Sequence, residues 1–535
     1  MAEIDERGLG GPRPPIEEFF PMPSYRPKQR ETLLKCYELF EKGKRLILLQ
    51  APVGFGKSAV NTALCRYYAP SIYSTPQLSL IDQIKSDPFL GKYFVEIKGR
   101  DHYACAKDHF LVPVKYGLCK RKGKVIPNEC IPILVCPYYS QKIKAIEAPV
   151  ALMSTAYFIV DAFLQPPCFR DRNLIVIDEG HFLAEYLADQ VKLEVSPRSL
   201  PKSVWEEHRD NPKDVESVAK SVEAYLDQVE LSLEGDAVLT EGEVVKRVKA
   251  EEWLVKAKNY LESEIVTEWV WTELPGGGFL ARPLKVRWMA EKMIWSRAER
   301  FVVSSATILD PKLWIYENGA DLVFDESEMA FIDVGMIFPA ENRKVIDMSA
   351  GGMRHDEQEE NLPRVAKMLE LILMTRKGQN VAVHVPSYEL ARKLCSLIDP
   401  DGHRIYLPDP RNRDVVLEMW KKHGGVLFAV AFHEGQDWKY DTCRVQVLAK
   451  TLYPDTTDPV VRKRLERRDF RWLMWTTLVR CLQAYGRAIR AEDDHMEFYV
   501  LDERFWDLIR NMWKYVPSWF REVVPKNRMP MRAVC

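Results

Sequence analysis

The chain has 535 residues, of which 47% are hydrophobic and 29% charged, and its net charge is −1. This length suggests three to four domains at about 100–200 residues each, and the composition is that of a globular protein. No apolar run approaches the roughly 20 residues that span a bilayer, and the acidic N-terminus lacks the apolar core of a signal peptide, so we expect a cytoplasmic protein with no membrane partner. Because the net charge is near zero, any nucleic-acid path must be a local basic stripe, such as residues 120–124 or 462–468, and a solvated surface is the alternative for both.

A phosphate-binding loop is the first functional signal along the chain. Residues 45–50 predict a buried strand, APVGFGKS follows at 51–58, and a helix is predicted from there to Pro70. Glycines let backbone N–H groups turn toward anionic oxygens, and the helix N-terminus adds positive potential. We therefore expect this loop to bind the phosphates of ATP and a Mg²⁺ ion through Gly54, Gly56, Lys57 and Ser58, with Lys57 on the β- and γ-phosphates and Ser58 on the metal.

Four cysteines cluster downstream of this loop, whereas the other seven are scattered. Gaps of 13, 10 and 5 residues separate Cys105, Cys119, Cys130 and Cys136. Four thiolates are the usual ligands of a 4Fe-4S cluster, but they also bind zinc, and the spacing favours neither group. The cysteines alone therefore predict a metal centre whose identity stays open.

An acidic pair follows the next strongly apolar strand, in NLIVIDEGH at 173–181. Asp178 is expected to hold Mg²⁺ through water, and Glu179 to orient and deprotonate the attacking water. An isolated acidic pair is usually only a strand end. Together with the phosphate loop, however, it predicts ATP hydrolysis.

The second half of the chain carries further strand–turn units at 301–309, 381–394 and 426–438, the last ending in Glu434, Gly435 and Asp437. Residues 477–494 predict a helix that places one glutamine and two arginines on a single face at spacings of four and three. Such a face suits a γ-phosphate, with a solvated basic face as the alternative. The residues concerned are Gln483, Arg487 and Arg490.

Taken together, these segments resemble superfamily 2 helicases of the XPD/DinG branch, over nearly the whole chain. The resemblance rests on the phosphate loop, on VIDEGH at 176–181, and on the segments that surround the four cysteines, GRDHYAC at 99–105 and 136–158. Further matches are YRPKQRETL (25–33), YSTPQLSLIDQ (73–83), SSAT (304–307), HEGQDW (433–438), YPDTTDPVVRKR (453–464), QAYGRAIR (483–490) and VPSWFRE (516–522).

The resemblance implies roles that the residues alone do not give. Gln29 is expected to recognise adenine with Tyr25 or Arg26 beside it, and Glu434, Gly435 and Asp437 are expected to contribute to the nucleotide site. It also implies that the four clustered cysteines hold a 4Fe-4S cluster rather than zinc.

The motif order predicts an α/β fold with two RecA-like parallel-sheet domains, an inserted iron–sulfur domain and an inserted helical Arch domain. TELPGGGFLARP at 272–283 is interpreted as the loop that leads back from the Arch. The predicted domains are 1–95, 144–190 and 284–312 for the first RecA-like domain, 96–143 for the iron–sulfur domain, 191–283 for the Arch, and 313–535 for the second RecA-like domain.

The predicted function is an ATP-dependent DNA helicase that acts on single-stranded DNA and on tailed or forked duplexes, with 5′→3′ travel implied by the resemblance alone. A translocase that moves without separating strands, and an accessory ATPase within a larger nucleic-acid complex with protein partners, are the alternatives. An RNA substrate also stays open, because phosphate contacts discriminate poorly between the two nucleic acids.

Overall fold

The computed structural model describes residues 13–108, 112–122, 135–164, 166–233, 238–430, 438, 440–487, 489 and 493–530. Its strands are β1 (Leu46–Gln50), β2 (Ser71–Thr75), β3 (Val95–Ile97), β4 (Val150–Ser154), β5 (Arg172–Asp178), β6 (Leu193–Val195), β7 (Trp269–Glu273), β8 (Phe279–Pro283), β9 (Ala298–Ser305), β10 (Met329–Asp333), β11 (Arg343–Asp347), β12 (Val381–Val385), β13 (Ile405–Tyr406), β14 (Val426–Val430), β15 (Val445–Leu448) and β16 (Met496–Val500).

The α-helices alternate with these strands over most of the chain. They are α1 (Gln29–Glu41), α2 (Lys57–Tyr67), α3 (Leu78–Ser86), α4 (Leu118–Arg121), α5 (Pro137–Glu147), α6 (Thr155–Asp161), α7 (Leu183–Val191), α8 (Lys202–His208), α9 (Val215–Leu231), α10 (Glu241–Ser263), α11 (Arg287–Ala290), α12 (Pro311–Glu317), α13 (Gln358–Thr375), α14 (Tyr388–Leu397), α15 (Arg413–His423), α16 (Pro459–Glu466), α17 (Phe470–Tyr485), α18 (Glu503–Asn511) and α19 (Ser518–Arg521). Among the described residues, no helix is both long and apolar enough to cross a bilayer.

Seven parallel strands form the first sheet, in the order β10-β1-β9-β5-β2-β4-β3. Strands β1 and β2 are buried along their whole length, as expected of a parallel sheet that helices cover on both faces. The phosphate loop and the acidic pair follow β1 and β5, and parallel strands bring these two ends to the same edge. This sheet therefore assembles the first half of the site.

The first sheet reaches further along the chain than the predicted boundary at 313. Strand β10 pairs in parallel with β1, with Met329 opposite Leu46 and Asp333 opposite Gln50. The pairing places residues up to 333 in the first RecA-like sheet. Sequence periodicity gives no sign of this, because an edge strand is recognised by its partner rather than by its own pattern.

Six parallel strands form the second sheet, in the order β11-β16-β15-β12-β14-β13. Two parallel α/β sheets confirm the predicted fold class. Inside the second sheet, the buried His384 ring shares a hydrogen bond of 2.9 Å with the Gln446 side-chain oxygen. Burial lowers the pKa of His384 to about 4, so its imidazole is neutral in the folded protein.

Acid is expected to destabilise the fold through this residue. An unfolded chain takes up a proton near the ordinary histidine pKa of about 6.5, and folded His384 does not, so stability falls as the pH drops from about 6.5 toward 4. His384→Gln should remove about 2 kcal/mol of the loss between pH 6.5 and 5, as measured by urea unfolding. Exposed His355→Gln is the control, and equal acid sensitivity of both variants would contradict the assignment.

Two segments are inserted into the first RecA-like domain. The segment between β3 and β4 contains the cysteines, and the segment between α7 and β9 has its own apolar core around Val218 and Trp253. The two insertions contact each other: the Lys115 ammonium lies 2.8 Å from Glu252, and Lys120 is paired with Glu251. The two insertions are therefore in direct contact through their side chains.

The second insertion is not wholly helical, and the interpretation of 272–283 as a loop is wrong. Strands β7 and β8 form an antiparallel hairpin with β6, in which Trp269 lies opposite Pro283 and Glu273 opposite Phe279. The three glycines at 276–278 all have positive φ, between 89° and 96°, and form the turn. In sequence, their composition resembles a flexible linker, and only the pairing of the flanking aromatic residues shows the strands.

Candidate active site between the two RecA-like domains

The phosphate loop turns on two glycines in the left-handed region. Gly54 has φ 83° and Gly56 has φ 84°, and helix α2 begins at Lys57 directly afterwards. A Cβ at Gly56 would also lie 2.4 Å from the Gln29 amide nitrogen. Backbone conformation and close approach both require glycine here. The predicted strand–loop–helix is thus present, with Ser58 in the first turn of the helix.

Side chains of the 25–29 segment donate hydrogen bonds to backbone carbonyls of the phosphate loop. The Gln29 amide donates to the carbonyls of Phe55 at 2.8 Å and Gly56 at 3.3 Å, and the Arg26 guanidinium donates to the Gly54 carbonyl at 2.7 Å. The Arg26 backbone N–H in turn donates to the Gln29 side-chain oxygen at 2.7 Å. Gln29 and Arg26 therefore lie beside the loop, where an adenine-recognition segment is expected.

Tyr25 lies next to this segment and packs against Phe20. The two rings are stacked, with centroids 4.0 Å apart and planes inclined by 24°. The stack fixes one face of Tyr25 and orients the chain that leads into Arg26.

Asp178 ends β5 with both carboxylate oxygens hydrogen-bonded. The buried Tyr73 hydroxyl donates to Oδ2 and the Ser304 hydroxyl donates to Oδ1, each at 2.8 Å. Burial, reinforced by the charge of Glu179, raises the pKa of Asp178, while Lys57 and the two hydroxyls oppose the rise. Two donors from neighbouring strands thus fix the orientation of the carboxylate that is expected to hold Mg²⁺.

Glu179 follows in a left-handed backbone conformation, with φ 50°, which is uncommon for a residue with a side chain. Its carboxylate lies 3.3 Å from the Lys57 ammonium and 3.5 Å from His181 Nδ1. Although burial works to raise the pKa of Glu179, the positive charges, Lys57 foremost, keep it below its usual value. Glu179 is therefore ionised, as a residue that orients and deprotonates water must be before it acts.

Side chains of the SSAT segment bind Asp178 on one side and a residue of the second domain on the other. Ser304 binds Asp178, the Ser305 hydroxyl shares a hydrogen bond of 2.9 Å with His181 Nδ1, and the Thr307 hydroxyl accepts a 2.7 Å bond from the Gln483 amide. Successive side chains of one segment thus link the acidic pair to a residue of the other RecA-like domain.

The predicted helix over 477–494 is wrong at its C-terminal end, so Gln483 and Arg487 do not share one helical face. Helix α17 ends at Tyr485 and is capped by Gly486, so Gln483 lies in its last turn and Arg487 follows the helix. Arg487 is buried; its charge adds to the effect of burial, which lowers the pKa of His181 to about 4, and to that of Lys57, which lowers the pKa of Glu179. The C-terminal end of helix α17 therefore places Gln483 and Arg487 at the site. Arg490, Glu434, Gly435 and Asp437 lie outside the described residues.

Helix α17 packs along the segment that follows SSAT, and these contacts were not predicted from sequence. The Trp475 indole N–H donates to the Ile308 carbonyl at 2.9 Å. The Arg471 guanidinium makes two bonds, of 2.6 and 2.9 Å, to the buried Asp310 carboxylate. An arginine and a tryptophan spaced by four, in the segment just before the helix predicted from residue 477, were the available signal. These bonds tie the second domain to the segment that carries Thr307.

Tyr73 is a further residue that sequence reasoning missed, and its replacement tests the geometry around Asp178. Tyr73→Phe removes one donor, so we expect the Mg²⁺ concentration for half-maximal ATP hydrolysis to rise by about tenfold or more. A Mg²⁺ titration of hydrolysis measures this. Tyr68→Phe, at a buried tyrosine whose hydroxyl bonds Glu41 instead, is the matched control, and an identical Mg²⁺ dependence for both variants would contradict the role of Tyr73.

The two basic clusters are largely paired with acids. Lys120 is bound to Glu251 of the second insertion, and residues 123 and 124 lie outside the described residues. In the 462–468 cluster, the buried Arg464 guanidinium lies 2.7 Å from Glu317 and 2.9 Å from Asp469. Arg464 is thus a domain-interface residue rather than an exposed phosphate ligand.

Three of the four clustered cysteines are described, and their thiols lie in one neighbourhood. Burial raises the pKa of Cys119, Arg100 and Lys120 oppose the rise, and the nearby Cys105 and Cys136 add to it. A Cβ at residue 117 would lie 2.8 Å from the Cys105 sulfur, so glycine there allows the close approach. Within the described part of the chain, however, no three metal-ligating side chains form a group that could hold an ion. Cys130 lies outside it.

These features define a class of protein: a two-domain RecA-like chain in which a phosphate loop and an acidic pair face residues of the second domain. A helicase C-terminal domain family matches residues 370–523. A probable ATP-dependent helicase of Methanocaldococcus jannaschii is 23% identical over 219 residues, and the match spans 34% of this chain and about a third, 32%, of that relative.

Solved structures of XPD share the fold over nearly the whole chain. One XPD helicase structure has a TM-score of 0.63 at 17% identity, with 94% of this chain and 98% of that chain covered. S. tokodaii Xpd4 has a TM-score of 0.54 at 18% identity, with 94% and 99% covered. The resemblance inferred from the motifs is thus confirmed for the fold, which the chain shares with the XPD structures, and residues 370–523 match a helicase C-terminal domain.

Proposed function

We propose that the chain is an ATP-dependent DNA helicase of the XPD/DinG type, which couples ATP hydrolysis to 5′→3′ translocation on single-stranded DNA and to duplex unwinding. One observation carries the proposal: the hydrogen bonds that run from Asp178 through the SSAT segment to Gln483 join the acidic pair to the second domain. A motor needs such a link, because hydrolysis on one domain must change how the other sits.

In this proposal, ATP lies between the two sheets. Lys57 contacts the β- and γ-phosphates, Ser58 and Asp178 hold Mg²⁺, and Glu179 orients and deprotonates the attacking water. The Lys57–Glu179 ion pair of 3.3 Å supports the assignment, since a γ-phosphate that draws Lys57 away would free Glu179 for water. Gln483, Arg487 and Arg490 act on the γ-phosphate from the second domain, and the 25–29 segment binds adenine.

The contact between the two insertions supports a path for one DNA strand. Ion pairs join Lys115 to Glu252 and Lys120 to Glu251, so the two insertions contact each other. In this proposal they enclose one DNA strand together with the first sheet, and backbone and stacking contacts there would be independent of sequence.

We further propose that Cys105, Cys119, Cys130 and Cys136 hold a 4Fe-4S cluster. The donor set suits it, because four thiolates are the usual ligands, and Cys105 and Cys136 lie close enough to Cys119 to add to the rise that burial causes in its pKa. The cluster would be structural and would hold the first insertion in shape. Iron and sulfide analysis of anaerobically purified protein should give about four of each per chain, whereas a colourless protein with one zinc ion would refute the cluster.

The nucleic acid that drives the motor is tested by ATP hydrolysis in the presence of matched DNA and RNA strands. We expect single-stranded DNA to stimulate hydrolysis and RNA of the same sequence to stimulate it less. Equal stimulation would remove the preference for DNA, and no stimulation by either would refute the motor.

A further inference from the structure

A cavity of about 720 Å³ lies where the base of the second insertion meets the second RecA-like domain. Segments 266–268 and 284–288 line it on one side, together with Tyr316 and Leu322, and residues from 464–469 line it on the other. Its volume falls within the roughly 300–1,000 Å³ of small-ligand sites. Neither the ATP site nor the proposed strand path uses it.

Large apolar side chains are exposed inside this cavity. Trp288 is 49% exposed and Tyr316 is 41% exposed. The Arg287 guanidinium covers the Tyr316 ring at 3.9 Å, whereas no ring or cation of the described residues covers Trp288. A bare indole in a polar cavity is unusual for a surface and provides a stacking face.

The cations deep in the cavity are neutralised by acids behind them. Lys285 and Arg464 share Glu317, at 3.4 and 2.7 Å, and Arg287 lies 3.1 Å from Asp321. These groups shape the floor and add little net charge. They also tie the first domain to helix α16 of the second.

The mouth of the cavity is different. The Arg467 side chain is 60% exposed and shares Glu268 with Lys463. Arg468 is also exposed, and among the described residues its guanidinium has no acidic partner. Two arginines therefore reach solvent beside Trp288 with one acid between them.

We propose that this cavity binds a nucleotide unit, with its base stacked on Trp288 and its phosphate held by Arg468 and Arg467. An exposed indole beside guanidinium groups is the combination that binds single-stranded nucleic acids, through stacking and charge-assisted bonds. A strand of nucleic acid and a free mononucleotide share this chemistry, and either could supply the unit.

This site is separate from the ATP site and goes beyond the proposed function. Residues 467–469 precede helix α17, whereas Gln483 lies in its last turn. At about 1.5 Å per residue, the two ends are roughly 20 Å apart. Occupation of the cavity would hold nucleic acid at the junction of the insertion and both RecA-like domains, away from hydrolysis.

Photocrosslinking and binding to the intact protein without ATP test the proposal. An oligothymidylate containing 5-iodouracil should crosslink to Trp288, as mapped by mass spectrometry. In fluorescence anisotropy, Trp288→Ala should lower the affinity for a fluorescein-labelled oligothymidylate by about 5-fold or more, while Trp288→Phe should keep most of that affinity. Arg468→Asn should also weaken binding, since asparagine tolerates the positive φ of 59° at this position.

Matched controls and a second probe separate the outcomes. Arg462→Ala removes an exposed charge from helix α16, which ends two residues before Arg468, without touching the cavity, and should change affinity less than Arg468→Asn. Thymidine monophosphate that protects Trp288 from the crosslink would identify a free nucleotide as a ligand. The absence of any crosslink at Trp288, together with wild-type affinity in Trp288→Ala and Arg468→Asn, would overturn the proposal. Lys57→Ala, which should lack ATP hydrolysis, should still crosslink at Trp288. A negative crosslinking result would therefore count against the cavity site and not against the proposed ATP-driven motor.

Discussion

Replacing Lys57 by alanine is expected to abolish nucleic-acid-stimulated ATP hydrolysis. Lys57 is the first residue of α2, follows the two glycines that turn the loop, and is only 8% exposed. Its ammonium group lies 3.3 Å from the Glu179 carboxylate. Its loss removes the cation that neutralises the β- and γ-phosphates as charge develops. Preorganised charges of this kind contribute factors of about 100 or more to kcat.

The measurement is steady-state phosphate release with saturating single-stranded DNA. Lys42→Ala is the matched control, because the Lys42 side chain is 71% exposed at the C-cap of α1 and its ammonium lies 3.9 Å from Glu38, on the same helix. Hydrolysis within a fewfold of wild type in Lys57→Ala would show that the nucleotide does not use this loop.

Replacing Arg487 by alanine should lower kcat strongly while leaving nucleotide binding largely intact. Arg487 belongs to the second domain and is buried. It lies close enough to Glu179 and His181 for its positive charge to contribute to the lowering of their pKa values. An arginine supplied to the γ-phosphate from outside the phosphate loop contributes about 10³-fold or more to related reactions. The expected loss is therefore in the chemical step.

Two measurements separate this role from a folding role. Binding of a fluorescent ATP analogue should stay within a fewfold of wild type, while single-turnover hydrolysis falls. Arg480→Ala is the control, because Arg480 lies on helix α17, which ends two residues before Arg487, and is paired with Glu185 at 3.5 Å rather than with the acidic pair. Equal losses in Arg487→Ala and Arg480→Ala would contradict a catalytic role for Arg487.

The first half of the site could be predicted from sequence because its signals are local. A buried strand, two glycines at positive φ and a helix that begins at Lys57 occupy one short stretch, and the acidic pair ends another strand. Because the strands are parallel, the carboxyl ends of β1 and β5 lie at the same edge of the sheet, so the phosphate loop and the acidic pair are expected to be close together. The resemblance to XPD/DinG helicases gave the order in which such units assemble.

The remaining features depend on contacts between distant segments. The Tyr73 hydroxyl meets Asp178 across 105 positions, and helix α17 ends at Tyr485 with Gly486 as its cap. The sequence pattern allowed a longer helix, and the glycine was interpreted as part of it. Strand β10 and the β7–β8 hairpin were missed for the same reason, since each is defined by its partner strand.

Strand displacement tests the central account most directly. A duplex with a 5′ single-stranded tail, a duplex with a 3′ tail and a blunt duplex are incubated with protein, Mg²⁺ and ATP, and the released strand is measured. We expect the 5′-tailed duplex to be separated in the presence of ATP, the 3′-tailed and blunt duplexes to stay intact, and Lys57→Ala to separate none. DNA-stimulated hydrolysis without release of a strand from any substrate would contradict a helicase and leave a translocase.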